Sequence, residues 1–311
     1  MIIISIIYLI LLLWMFDFVF LKDTETNEKK SDNHITVIIN KIYDIEQLLG
    51  TLDSIKLQNT KSKLELILVD YTNDDLQLIV TPYNNIFESI HVYKADYYDI
   101  DTSTIKTNNI LIIENGMELS NNFIHVSLNY FNQLDISVMF FPKLLKLSNK
   151  TNIFFQLYES FKQTVKCSLI NKNIYRNINF NDDCLIIVRD LFIEKIENKN
   201  SNFSNHNYKY VMDSNLCVYS SKTDSSVKFF FFFYFGMNVF FLMVMTLFIS
   251  MPSIKLLIAL SIKIIPELYY IYSYYNKLTI KFPKIDFMIY SVIIPFYMFL
   301  ELFLIRNNLR K

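Results

Sequence analysis

The stretch that most constrains this chain is 35–75, which reads ITVIINKIYDIEQLLGTLDSIKLQNTKSKLELILVDYTNDD. Ile35–Ile39 is an apolar, β-branched run with the length of a buried strand. Asp44 follows as a helix cap, and Gln47 three places on completes a capping-box spacing. Ile45, Leu48, Leu49, Leu52 and Ile55 then recur at helical spacing, one apolar stripe. Leu64–Val69 is a second buried run that stops at Asp70, with Thr72, Asn73 and Asp74 as turn material. Two buried strands joined by a helix pair in parallel through a right-handed crossover. Open parallel sheets bind ligands beyond the carboxyl ends of their strands. Asp70 stands at such an end, either as a turn former or as a ligand contact.

The rest of the chain is consistent with an α/β domain between apolar ends. Residues 2–21 are apolar except for Ser5 and Asp17, long enough for an anchor. A signal peptide is the rival reading, but no basic segment precedes the run and no small-residue cleavage site follows Leu21. Lys22, Lys29 and Lys30 follow it, so the positive-inside rule puts the next domain on the cytoplasmic side of a cell membrane. Residues 22–34 are a polar linker, and the α/β domain is expected over 35–226. Strands are expected at Ile90–Tyr93, Ile110–Ile113, Ile136–Phe141, Leu185–Val188 and Val211–Tyr219. Helices are expected after Ser120, over Thr151–Val165 and after Asp190, with Ser120 and Asp190 as caps. Such alternation argues a mostly parallel sheet. Residues 229–305 read as a C-terminal membrane region of two or three helices. Phe229–Ser250 carries no charge, and Phe287–Ile305 is a shorter candidate. Between them, Ile254–Tyr275 is apolar but holds Lys255, Lys263 and Glu267. It is either a span with its charges turned inward or an interfacial helix.

Charge and cysteine usage exclude several classes. Formal net charge is zero, so no basic surplus points to nucleic acid. Cys167, Cys184 and Cys217 are scattered, with no CxxC pair, and the histidines (34, 91, 125 and 206) do not fall at ligand spacing. Neither a disulfide framework nor a zinc site is supported.

Val37-Ile38-Ile39-Asn40, then Leu52-Asp53-Ser54-Ile55 with Gln58, then Leu68-Val69-Asp70-Tyr71-Thr72-Asn73-Asp74-Asp75 form a recognisable series. In type and spacing it resembles the nucleotide-sugar-binding half of the family 2 glycosyltransferases, which have a GT-A fold. The resemblance covers roughly 35–220. The anchor and apolar tail extend it toward membrane-bound bacterial members. It implies that Asp70 contacts the nucleotide, with Tyr71 in place of a second aspartate. It also implies that Glu114, in Ile110-Leu111-Ile112-Ile113-Glu114, stands where a D-x-D pair begins and holds a divalent metal, Mg²⁺ or Mn²⁺. Gly116 occupies the second acidic position, and Glu118 is a substitute metal ligand of different geometry. The plain reading of these residues is a polar turn after a strand.

Other family elements are worn. The acidic pair that supplies the general base should fall between Asp190 and Tyr208, where only Glu194 and Glu197 occur, so the catalytic base stays unassigned. Q-x-x-R-W is absent, because the one tryptophan is Trp14. Two functions therefore stand. One is a membrane-bound glycosyltransferase that moves sugar from a nucleotide-sugar donor to a lipid or glycan acceptor at the cytoplasmic face. The other is an inactive relative serving as a membrane scaffold or subunit.

Overall fold

The computed structural model describes Ile6, Ile10 and residues 34–58, 62–94, 100–133, 136–145, 153–172, 184–198, 206–220 and 228–280. Side chains at 153–155, 158, 228–235 and 237 are not described. The anchor expected over 2–21 (Ile6 and Ile10 apart), the linker 22–34 up to His34, and the apolar stretch Phe287–Ile305 lie outside these residues. The chain divides into two compact units, one of Lys22–Lys146 with Ile170–Thr223, the other of Met1–Leu21, Leu147–Leu169 and Asp224–Lys311.

The first unit is an α/β domain. Its elements run β1 (His34–Ile42), α1 (Ile45–Lys56), β2 (Lys63–Asp70), α2 (Leu76–Val80), β3 (Phe87–Lys94), β4 (Asn109–Glu114), β5 (Glu118–Leu119), α3 (Phe123–Gln133), β6 (Val138–Phe140) and β7 (Lys143–Leu145). After helix α4 (Ile153–Asn171) come β8 (Leu185–Val188), α5 (Arg189–Glu197), β9 (Tyr208–Tyr210) and β10 (Val218–Ser220). Seven strands form one sheet in the order β3-β2-β1-β4-β8-β6-β9, and β5-β10-β7 form a second. β1 pairs in parallel with both β2 and β4, and β2 with β3. In the seven-stranded sheet only β8 runs against its neighbours, and in the second sheet β5 runs against β10.

Period-two alternation explains the core. Ile35, Val37 and Ile39 of β1, Leu66 and Leu68 of β2, and Leu111 and Ile113 of β4 share one cluster with Leu48, Leu52 and Ile55 of α1 and Phe123, Ile124 and Leu128 of α3. Ile38, Ile67, Ile110 and Ile112 alternate with these and are buried too. Both faces are thus covered, as a parallel sheet requires.

Helix α1 starts as its sequence predicts. Asp44 Oδ1 accepts from the Glu46 and Gln47 backbone N–H groups, although Gln47 Nε2 returns to Asp44 Oδ2 rather than to the backbone. Three expectations need correction. Asp190 does not cap α5; the helix begins at Arg189 with Val188 as its cap, so Asp190 lies in the first turn. Ser120 does not cap α3 with its hydroxyl, which bonds the Asn215 carbonyl instead. Of the strand expected over Val211–Tyr219 only the end forms, in β10; β9 stops at Tyr210, and Asp213 caps a short 3₁₀ turn over Ser214–Leu216 between the two.

The second unit holds most of α4, together with α6 (Lys228–Ser250) and α7 (Ile254–Lys277). Among the described residues, no helix is long and apolar enough to cross a membrane. In α6 the side chains are described only at Gly236 and from Asn238 on. Helix α7 is amphipathic in an inverted sense. Leu256, Ala259, Lys263, Glu267, Ile271 and Tyr274 form its buried stripe, while Leu257, Ile258, Ile265, Leu268 and Tyr272 are exposed. Lys263 Nζ lies 2.9 Å from Glu267 Oε2, and these side chains are 3% and 0% exposed. Lys263 also sits 5.5 Å from the centre of the Phe241 ring of α6. The Lys263 and Glu267 charges of α7 are therefore turned inward, but the helix is not apolar enough to be the membrane span its sequence offered as one alternative.

Candidate functional site

Strand pairing brings the candidate residues to one edge. Asn40 pairs with Glu114 on one side of β1, and Ile42 with Asp70 on the other. The backbone N–H groups of Tyr71 and Asn115 then donate to the Ile42 and Asn40 carbonyls, each at 3.0 Å. Asp70 and Glu114 therefore flank the end of β1 at the carboxyl edge, about 10 Å apart as judged by two strand spacings. Asp70 does form a turn at the strand end. Its Oδ1 accepts from the Thr72 N–H and hydroxyl, each at 2.7 Å, as an Asx turn would.

Lysines share this edge. The register of β1 is broken between Ile39 and Ile42, and Lys41 there has φ of 54°. Left-handed backbone at a lysine is disfavoured and persists where the surroundings impose it. The break sets Lys41 Nζ 4.0 Å from Glu114 Oε1. At the end of β3, Lys94 Nζ lies 2.5 Å from Asp70 Oδ2 and also reaches the Thr72 and Asp74 carbonyls. Burial pushes the Asp70 carboxyl up, but hydrogen bonds from Lys94 and Thr72 outweigh it and hold the group below its ordinary value. The edge thus reads Lys94, Asp70, Lys41, Glu114 across β3, β2, β1 and β4, alternating in sign.

A further lysine, Lys143, opens β7 of the second sheet, three residues after the end of β6. Phe140, the last residue of β6, and Ile112 of β4 both pair with Leu185, and β4 runs two residues further to Glu114. Lys143 is 7% exposed, and its Nζ is buried without a hydrogen-bond partner. Asn115 Oδ1, just past Glu114, is likewise buried without one. Beside them Tyr43 and Tyr71 are both exposed, with ring centres 5.0 Å apart.

The residues expected to hold a metal do not assemble. Glu118 lies on β5, in the other sheet, with its Oε1 only 3.6 Å from where a Cβ on Gly50 of α1 would sit. The chain between is laid along α1. The Gly116 N–H donates to Thr51 Oγ1, and the Leu119 N–H to Ser54 Oγ. Gly116 has φ of 88°, and a Cβ there would meet Gln47 Oε1 at 2.7 Å. The backbone here disfavours an acidic side chain, and Gln47 would have to shift to admit one. Glu114 alone remains, facing an ammonium group that a dication would repel. No group of three or more His, Cys, Asp or Glu suited to a metal occurs among the described residues. Mg²⁺ is held by one or two carboxylates together with phosphates, and here even the one available carboxylate is shared with Lys41.

No base is placed at the edge by α5. Val188 pairs with Asn109, and the Arg189 N–H donates to the Asn108 carbonyl, so α5 starts at the opposite end of β4 from Glu114. Glu194 and Glu197 are exposed on it. Residues 199–205 lie outside the described part. The cysteines are buried, and none is in a disulfide. The thiol of Cys217 is pushed up to about 12 by burial and by Asp213, which leaves it inert as a nucleophile.

The resemblance series also contains structural residues. Gln58 Nε2 donates to the Ser54 and Ser120 carbonyls, and its Oε1 accepts from the Ile124 N–H at the start of α3. Ser54 and Gln58 thus clamp the β5–α3 connection onto α1. Lys41, Lys94 and Lys143 were missed as candidates. The available signal was a lysine within two residues of the end of an apolar run, after Ile39, Tyr93 and Phe141.

No protein-family model and no curated protein sequence matches the chain. Among solved structures it is similar to the mannosyltransferase PcManGT from Pyrobaculum calidifontis in complex with GDP-Man and Mn²⁺, at 10% identity and a TM-score of 0.45, over 88% of this chain and 83% of that one. It is similar to GalNAc-T7 with UDP, GalNAc and Mn²⁺ at 11% identity and a TM-score of 0.43, over 66% of this chain and 47% of that one. For S. aureus TarS 1–349 in complex with UDP the values are 12%, 0.36, 58% of this chain and 61% of that one. Identities this few carry no site residue across.

Proposed function

We propose that this chain is a membrane-associated glycosyltransferase-like protein that binds a nucleotide-sugar donor at the carboxyl edge of β1, β2 and β4. One observation carries the reading. The two residues singled out for donor contact, Asp70 and Glu114, emerge on either side of β1 at one edge of a parallel sheet. Tyr43 and Tyr71 offer exposed rings beside Asp70 on which a nucleobase can stack. The Asp70 carboxylate can accept from a base N–H or a ribose hydroxyl once Lys94 gives way. In the reaction an acceptor hydroxyl oxygen bonds to the anomeric carbon as the bond from that carbon to the diphosphate oxygen breaks. The hydroxyl proton goes to a base that no described residue supplies at this edge.

Membrane association is supported by α7, whose exposed face is apolar while Lys263 and Glu267 are buried. Lipid on the outside and ion pairing on the inside is the arrangement bilayers impose. The lysines at 22, 29 and 30 favour a cytoplasmic α/β unit, which would meet a lipid-borne or glycan acceptor there. A donor-binding subunit without turnover is the second reading. It is favoured by Gly116 and by the placement of α5 away from Glu114.

Purified protein in lipid nanodiscs, given UDP- and GDP-sugars with a lipid extract, separates the two. Release of nucleoside diphosphate that Asp70→Ala abolishes supports the enzyme. Binding without release supports the subunit. Neither binding nor release contradicts both.

A further inference from the structure

The disagreement between Glu114's surroundings and a metal site leads further, and the step rests on the donor-site reading above. We propose that the edge takes the diphosphate of its donor on lysine ammonium groups, Lys41 with Lys143, and needs no divalent cation. Three features of this edge converge. The first acidic position, Glu114, has Lys41 Nζ 4.0 Å away, where a bound dication would have to sit. The second acidic position is Gly116, whose φ of 88° strains any side chain placed there. Finally, Lys143, at the start of β7 three residues past the end of β6, has its Nζ buried with no hydrogen-bond partner.

A buried ammonium without an acceptor is costly, and an anionic ligand removes that cost. Lysine binds phosphate as a compact point charge. The left-handed backbone at Lys41 is the local device that sets this ammonium beside Glu114 and away from the run of β1. Glu114 then acts as the partner that holds Lys41 in place when no donor is bound. The substrate class is a nucleoside diphosphate or its sugar ester, and the specificity is for the diphosphate rather than for a metal complex.

Calorimetric titration of the full chain with UDP and GDP, in EDTA and again in Mn²⁺, tests this. The expected Kd in EDTA is within about threefold of that in Mn²⁺, because the counter-charge is already present. Lys41→Asn keeps a residue that accepts left-handed backbone and should weaken binding about ten- to a hundredfold, the range for a hydrogen bond to a charged group. Lys41→Arg should restore most of it. Lys143→Met should weaken binding by a similar factor while the unliganded protein melts no lower than wild type, a combination that a merely structural lysine would not give. Glu114→Gln, which removes a like charge from beside the diphosphate, should tighten binding in EDTA. Binding seen only with Mn²⁺, and lost in Glu114→Gln, would overturn the lysine site while leaving the donor site standing. Absence of binding in both conditions would overturn the donor site itself.

Discussion

Asp70 shows how a single carboxylate can serve fold and site together. Burial pushes its carboxyl up, while Lys94 and Thr72 pull it below the ordinary value. A depressed folded value adds stability above the unfolded aspartate value of about 3.9, and that stability is lost as pH falls through the folded one. Wild type should therefore exceed Asp70→Asn in urea stability near about pH 6, with the gap closing below about pH 4. A gap of the same size at both ends of a stepped pH series would contradict this. The position of Asp70 was legible because an apolar run stopping at an aspartate is a local pattern. Its engagement by Lys94 was not, since that partner arrives from the end of another strand. The same holds for Lys41 and Glu114.

At the scale of elements, β1, α1, β2, β3, β4 and β8 follow from hydrophobic period and turn residues, and they appear close to where these place them. The errors fall where a long-range bond overrides a local one. Ser120 has capping chemistry, yet its hydroxyl goes to Asn215, and the free N–H at the start of α3 is met by Gln58. Gln58 therefore joins two helices through three hydrogen bonds. Gln58→Ala should lower unfolding free energy by about 2–3 kcal/mol, since partly buried partners are left unpaired. Chemical denaturation followed by far-UV circular dichroism measures it. A loss within experimental error would show that water replaces the side chain and that the clamp is unimportant.

At the scale of the molecule, the separate clustering of α4 with the C-terminal helices was not legible, because α4 has the composition of an ordinary core helix. The inward turn of the α7 charges was legible only as one possibility, and it is made by the Lys263–Glu267 pair. Breaking a buried pair strands a charge, whereas replacing both partners does not. Lys263→Met alone should therefore destabilise the protein in nanodiscs by about 3–5 kcal/mol, and Lys263→Met with Glu267→Leu should recover most of that loss. Thermal unfolding of the two variants measures it, and a double variant as unstable as the single would contradict a buried pair facing an apolar surround.

The central claim is that the carboxyl edge of β1, β2 and β4 binds a nucleoside diphosphate. Hydrogen–deuterium exchange of the full chain, with and without saturating UDP or GDP, tests it most directly. The account predicts slowed exchange in peptides covering 40–44, 70–75 and 114–118, with α6 and α7 unchanged. Protection confined to other segments, or none with either nucleotide, would contradict it.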